Sequence, residues 1–220
     1  DRSWFFSSDG RAMIPYGYLG GFALGSGDPI GDPSSIPLAV DEFIEHCRHH
    51  GWQPAFLAAR EIDAAFYSER GFRDFYLGDE AVLDCRTFDL DAPGMAPVRQ
   101  SVRRVEGTHR VELIAESEAD PALVARLNEI SVRWRKGADE RGYTMAMSTE
   151  VGASDPGRLL AVAWRAGTDA TAEVPVAFLR LIPTGGGDGP YGRGYTLDLL
   201  WRLPDAANGI GKWTDAQLAK

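Results

Sequence analysis

Asp91-Ala92-Pro93-Gly94-Met95-Ala96-Pro97 places two prolines and a glycine within seven residues near the middle of a 220-residue chain. A helix interior or a central strand does not accept that composition. Proline lacks the backbone N–H, and glycine loses the most backbone freedom on ordering. The stretch therefore reads as a linker. It obliges the chain to fold as two parts, residues 1–95 and residues 96–220.

Both parts mix helices with short strands. Trp4-Phe5-Phe6 and residues 12–18 read as strands around a two-residue hairpin at Asp9-Gly10. A turn at Gly20-Gly21 leads to a short strand over 22–24, and residues 25–33 read as a loop. A helix capped near Ser35 carries Val40, Phe43, Ile44 and Cys47 on one face and stops at Gly51. Residues 52–59 then read as a strand, 62–70 as a short helix and 75–84 as another strand.

After the linker comes Val98-Arg99-Gln100-Ser101-Val102-Arg103-Arg104-Val105. Its valines recur at i, i+4 and i+7, the spacing of one helical face, while Arg99 and Arg103 share another. Residues 110–115 alternate like a strand. Asp120-Pro121 opens the clearest helix, with Asp120 as N-cap, Pro121 at the first position, and Leu123, Leu127, Ile130 and Trp134 on its buried face. Strands follow at 143–148, 159–164, 174–182 and 195–201, the last two joined by a glycine-rich loop. The fold class is thus α/β in the broad sense, an α+β mixed-sheet protein in two parts.

The formal net charge of −9 argues against broad, nonspecific nucleic-acid binding, although a local basic patch remains compatible with it. No apolar run reaches the ~18 residues that a transmembrane helix needs. Two cysteines, Cys47 and Cys85, make no disulfide framework or zinc pattern, which fits a reducing compartment.

Several motifs invite a chemical reading. Gly185-Gly186-Gly187 lacks the lysine and following helix of a phosphate loop and reads as a hairpin connection. His46 and His50 are four apart, but they sit in the last turn of a helix, where the macrodipole favours cations. No Gly-x-Ser-x-Gly elbow supports a serine hydrolase. Asp198 interrupts an apolar strand, Tyr195-Thr196-Leu197-Asp198-Leu199-Leu200-Trp201. Strand alternation puts Thr196, Asp198 and Leu200 on one face with Arg202, so an Asp198–Arg202 ion pair is expected. The cluster Arg99, Arg103 and Arg104 suits a phosphate or a carboxylate, or else a solvated helix face paired with Glu106 or Glu112.

The order of these pieces resembles a known family. Ser7-Ser8-Asp9-Gly10-Arg11, Gly27-Asp28-Pro29, Trp52-Gln53-Pro54-Ala55-Phe56-Leu57 and Gly71-Phe72 come first. Tyr76-Leu77-Gly78-Asp79-Glu80-Ala81 and Val98-Arg99-Gln100-Ser101-Val102-Arg103-Arg104 follow. Trp134-Arg135, Glu140-Arg141-Gly142-Tyr143-Thr144-Met145-Ala146, Thr196-Leu197-Asp198-Leu199 and Asn208-Gly209 complete the series. It resembles the cytoplasmic C-terminal domain of the aminoacyl-phosphatidylglycerol synthases (phosphatidylglycerol lysyltransferases), in the actinobacterial form.

The resemblance implies tandem acetyltransferase-like (GNAT) folds, the second expected to be truncated because family members continue past the Asn-Gly motif. It implies transfer of a lysyl or alanyl group from aminoacyl-tRNA to phosphatidylglycerol at the cytoplasmic face of the membrane. That reaction lowers the negative charge of the membrane and gives resistance to cationic peptides. The expected partners are aminoacyl-tRNA, phosphatidylglycerol and the membrane surface, with membrane helices or a lysyl-tRNA synthetase domain in the full-length protein. No metal or cofactor is implied. Asp198 matches the aspartate of the family's Ser-Leu-Asp-Leu-Met-Arg strand and is the expected catalytic residue. The motif's arginine falls at Trp201, with Arg202 one place later. Substrate binding is expected from Arg99, Arg103, Arg104, Asp28, Arg135, Glu140 and Arg202. The 220 residues alone are expected to be inactive or badly impaired. The alternatives are a noncatalytic GNAT-like module that binds an anionic partner, and a soluble acyl-coenzyme A transferase. The latter would need a glycine-rich loop opening a helix, whereas Leu203-Pro204-Asp205 follows Arg202.

Overall fold

The computed structural model describes residues 3–79, 81–136, 138, 150–152, 157–166, 173–184, 194–211 and 214. The chain divides into two compact units, Asp1–Ala81 and Val82–Lys220. Phe88 and Leu90 pack against the core of the second unit, so the proline-glycine stretch lies inside that unit.

The first unit is a sheet with one covering helix. Strands β1 (Ser3–Phe6), β2 (Ala12–Leu19), β3 (Phe22–Ser26) and β5 (Gln53–Leu57) lie in the order β1-β2-β3-β5. The short β4 (Ile30–Gly31) pairs with β2. The turn after β1 is longer than the expected two-residue hairpin: Ser7 N–H bonds Ala12 C=O, and Gly10 N–H returns to Ser7 C=O. Asp9 stabilises it by accepting from the Ser7 hydroxyl at 2.6 Å and the Arg11 N–H at 3.0 Å.

Residues 25–33 are likewise not all loop. Ser26 still belongs to β3, and Ile30–Gly31 is a strand only because residue 31 is glycine. A Cβ there would lie 2.2 Å from the Arg11 carbonyl oxygen, a contact that no side chain survives.

Helix α1 (Ile36–His50) crosses from β3 to the parallel β5 and covers one sheet face. Its Ala39, Val40, Phe43 and Cys47 pack on Ala12, Ile14 and Ala23. Gly51 closes the helix at φ 70°, the left-handed stop that glycine adopts without strain. Ser35 does not cap it. Its hydroxyl donates to Asp9 at 2.6 Å, tying the helix start to the β1–β2 turn. Helix α2 (Ala64–Ser68) follows a single 3₁₀ turn. The strand expected over 75–84 does not form among the described residues. Phe75, Tyr76 and Leu77 are exposed there. Local β-propensity needs a ladder partner to become a strand.

The second unit is a four-stranded antiparallel meander, β6 (His109–Ala115), β7 (Leu159–Arg165), β8 (Val174–Pro183) and β9 (Tyr195–Arg202). Helix α3 (Ala96–Val105) lies on one face, where Val102 and Val105 meet Ala163, Val176 and Ala177. Helix α4 (Pro121–Arg135) lies on the other, where Leu123, Leu127 and Ile130 meet Leu160, Val162, Phe178 and Leu199. Asp120 caps α4 as expected, accepting from Ala122 and Leu123 N–H at 2.8 and 2.9 Å. Trp134 departs from expectation: it is exposed, and Ser131 is buried instead. The strand expected over 143–148 lies outside the described residues.

His46 shows why the histidine pair is part of the core rim. Its ring packs against Phe5 at 5.2 Å and Trp52 at 5.8 Å. Burial pushes its pKa below the ordinary 6.5, and the nearby His50 and His49 push it the same way. The fold therefore favours neutral His46. An unfolded chain takes up the proton more readily, so this contribution is complete above about pH 6.5 and is lost as pH falls below it.

The thermal midpoint is expected to drop between pH 7 and pH 5, and the drop to be smaller in His46→Phe; an equal drop in both, by scanning fluorimetry, contradicts the assignment. Asp120→Ala is expected to lower unfolding free energy by about 1 kcal/mol and Leu127→Ala by about 2–5 kcal/mol in urea titrations.

Candidate active site around Asp198

Two apolar strands of the second unit each carry one interior charge: Arg180 in β8 and Asp198 in β9. Their register explains how the charges meet. Arg180 stands opposite Leu199, and Leu181 stands opposite Leu197. Asp198 is therefore the extra residue of a β-bulge, a device that re-aims a side chain. Asp198 and Leu199 are both turned inward, whereas Thr196 and Leu200 are exposed. Simple alternation, which grouped Asp198 with Thr196 and Leu200, fails at this bulge.

The inward turn creates a buried ion pair. Arg180 donates to Asp198 Oδ2 from Nε at 2.6 Å, and its Nη2 lies 2.5 Å from the same oxygen. The side chains are 0% and 5% exposed. The other end of the guanidinium is also held. Nη1 donates to the Glu150 carbonyl at 2.8 Å and stands 3.7 Å from Glu116 Oε1, itself fully buried. Glu116 opens the β6–α4 corner and accepts the Gly152 N–H at 2.9 Å. Asn128 of α4 brackets Val151, accepting its N–H at 2.9 Å and donating to its carbonyl at 3.2 Å. β9, the corner after β6 and the 150–152 segment thus converge on one arginine, and Asn128 ties that segment to α4. A depression of about 400 Å³, lined by Glu116, Ser117, Pro121, Val124 and Gly152, opens beside this network.

The expected Asp198–Arg202 pair is absent. Arg202 instead lies over the Trp134 ring, 5.6 Å from its centroid. Trp201 meets Phe178 edge-on at 5.8 Å. The bulge is the physical cause, because it sends Asp198 toward β8.

The arginine helix serves its own unit first. Arg99 donates to the carbonyls of Leu90 and Ala92 at 2.7 and 3.2 Å and so clamps the linker. Arg104 donates to the Asn208 carbonyl at 3.1 Å. Gly209 beside it sits at φ +94°, and a Cβ there would lie 2.8 Å from Ser101 Oγ. The Asn208-Gly209 motif is thus the seat of α3. Arg103 is exposed. Helix α3 covers the sheet face opposite the one shared by α4, Phe178 and Arg180, so its arginines and Asp198 are not gathered into one cluster.

Asp28 belongs to the first unit. It accepts from Tyr67 Oη at 2.9 Å and Arg60 Nε at 3.0 Å. Burial, reinforced by the bond to Asp28, raises the Tyr67 pKa. Arg135 closes α4, and its carbonyl accepts the Ala138 N–H at 2.8 Å. Glu140 lies outside the described residues.

Sequence reasoning missed Arg180, Glu116 and Asn128. For Arg180 a signal existed: a lone arginine in Val-Pro-Val-Ala-Phe-Leu-Arg-Leu-Ile-Pro, matching a lone aspartate in the next apolar strand.

A mixed α/β fold in two units, with a largely buried charged pair in the second sheet, can be set beside known proteins. The family described as "Phosphatidylglycerol lysyltransferase, C-terminal" matches residues 1–220, and the chain belongs to it. A "Lysylphosphatidylglycerol biosynthesis bifunctional protein LysX" of Mycolicibacterium vanbaalenii is 37% identical over 95% of this chain and 18% of its own length. The protein of the same name from Gordonia bronchialis is 37% identical over 96% of this chain and again 18% of its own. The chain thus spans less than a fifth of these relatives. The solved structure of L-PGS from Bacillus licheniformis superposes with TM-score 0.82 at 26% identity, covering 100% of this chain and 66% of that one.

Arg99→Ala is expected to lower stability by about 1.5–3 kcal/mol, because two carbonyls lose a charged donor. Arg103→Ala should stay within about 0.5 kcal/mol of wild type. Equal denaturation midpoints for the two variants would contradict the clamp.

Proposed function

We propose that this chain is a working part of an enzyme that moves an aminoacyl group, lysyl by preference, from aminoacyl-tRNA to phosphatidylglycerol at the cytoplasmic face of the membrane. The observation that carries the reading is Asp198, an ionisable strand residue buried at a bulge in a chain matched over its whole length by the family. Buried charge that only filled space would be replaceable by apolar side chains at little loss. The names of the relatives support lysine as the amino acid.

The two units are read as tandem acetyltransferase-like folds. The parallel β3–α1–β5 crossover of the first and the meander of the second support that reading.

The reaction makes one ester bond and breaks another. A glycerol hydroxyl of the lipid attacks the aminoacyl carbonyl. The tRNA ribose oxygen departs and ends with the proton that the lipid hydroxyl gave up. The donor ester is already reactive, so positioning supplies much of the rate. Asp198 is assigned to the α-ammonium of the aminoacyl group, because a carboxylate held rigid in an apolar strand gives that cation one fixed partner. Arg103, exposed on α3, is assigned to an anionic phosphate of tRNA or lipid. Arg99 and Arg104 support that helix. Among the described residues no helix is long and apolar enough to cross a membrane. Contact with the lipid surface is assigned to the assembled protein.

The test is expression of the full-length protein in bacteria, with thin-layer chromatography of the lipids. A new ninhydrin-positive phospholipid, lost in Asp198→Ala, is expected. An unchanged lipid profile from a folded protein would favour a noncatalytic module that binds an anionic partner.

A further inference from the structure

We infer that Arg180 is a positioning residue, which sets the orientation of Asp198 and so governs the rate of transfer. The inference rests on the reading of Asp198 given above and extends it to a residue that no motif singles out.

A bulge alone does not fix a side chain, because it frees one residue from the ladder. Asp198 is nevertheless held by two contacts to one oxygen, from Nε at 2.6 Å and Nη2 at 2.5 Å of a planar group. Two nitrogens of one planar guanidinium converging on that oxygen hold it at a defined place in the guanidinium plane, which a single point charge does not do. That grip positions Asp198 only if Arg180 is itself anchored elsewhere, and it is. Nη1 is bonded to the Glu150 carbonyl and lies 3.7 Å from Glu116, whose own oxygen is fixed by the Gly152 N–H. Arg180 also sits on a central strand, paired with β7 through Leu160 and with β9 through Leu199. The anchor therefore does not depend on Asp198, and orientation passes outward from arginine to aspartate. An arginine serving only as a counter-charge would need neither the planar grip nor the second anchorage.

Lysine separates orientation from charge. Its ammonium is a compact point charge that keeps the ion pair without the fork. In the full-length protein, Arg180→Lys and Arg180→Met are compared with wild type for transfer from radiolabelled lysyl-tRNA to phosphatidylglycerol vesicles. The expected result for Arg180→Lys is a folded protein, KM for both substrates within about twofold, and kcat reduced about tenfold or more. Arg180→Met should fall further than Arg180→Lys, so that the conservative variant shows partial rescue; if Arg180→Met fails to fold, Arg180→Lys decides alone. Wild-type kcat in a folded Arg180→Lys would overturn the inference, as would a loss confined to KM. Asp198→Ala in the same assay keeps the two readings apart. If Asp198→Ala transfers normally, the assignment of Asp198 fails. If it is inactive while Arg180→Lys is fully active, only the positioning role of Arg180 fails.

Discussion

The ion pair between Arg180 and Asp198 is the contact on which the second unit is organised. Ionised groups leave water only when charge and hydrogen bonds replace it. Here the replacement comes from many parts of the fold. β9 supplies the partner carboxylate, the β6–α4 corner supplies Glu116, and the segment at 150–152 supplies a carbonyl and an amide. Asn128 holds that segment to α4. Removing any of these leaves the arginine poorly compensated, so the surrounding elements are fixed relative to one another. The bulge in β9 is the backbone adjustment that permits it.

The charged groups differ in what their partners are. Arg99 and Arg104 carry charge, yet their nearest partners are carbonyls of their own unit. Their chemistry is that of a clamp on the linker and on the Asn208-Gly209 turn. Asp28 is likewise satisfied, by Tyr67 and Arg60. Asp198 is different, because no local turn or cap requires a carboxylate in the middle of an apolar strand. Among the described residues, Arg99, Arg104 and Asp28 thus hold the fold, whereas Asp198 is set inside the sheet.

Much of the fold was legible because its causes are local. Asp120-Pro121 announced α4, and the apolar spacing at Leu123, Leu127 and Ile130 assigned its buried face correctly. Gly51 ended α1 where a left-handed residue is needed. What escaped depends on relations between distant segments. A bulge exists only against a neighbouring strand, so the turn of Asp198 toward Arg180 was invisible from residues 195–201 alone. The exposed Phe75, Tyr76 and Leu77 have strand-forming side chains but no ladder. Gly31 makes a strand of a stretch that reads as loop, through a contact with Arg11 twenty residues earlier. The site was half legible: Asp198 stood out by type and motif, and its partner did not.

The central claim is that Asp198 acts through its charge on the reacting aminoacyl group, beyond its part in the ion pair. The most direct measurement is the single-turnover rate of lysyl transfer in Asp198→Asn. Asparagine keeps the size of the side chain and one oxygen for Arg180, while Glu116 remains beside the guanidinium. The account predicts a folded protein that binds lysyl-tRNA and vesicles yet transfers at least about a hundredfold more slowly, the loss of one buried charged interaction of about 3 kcal/mol. A wild-type transfer rate in Asp198→Asn would contradict it and leave the ion pair a structural feature of the sheet.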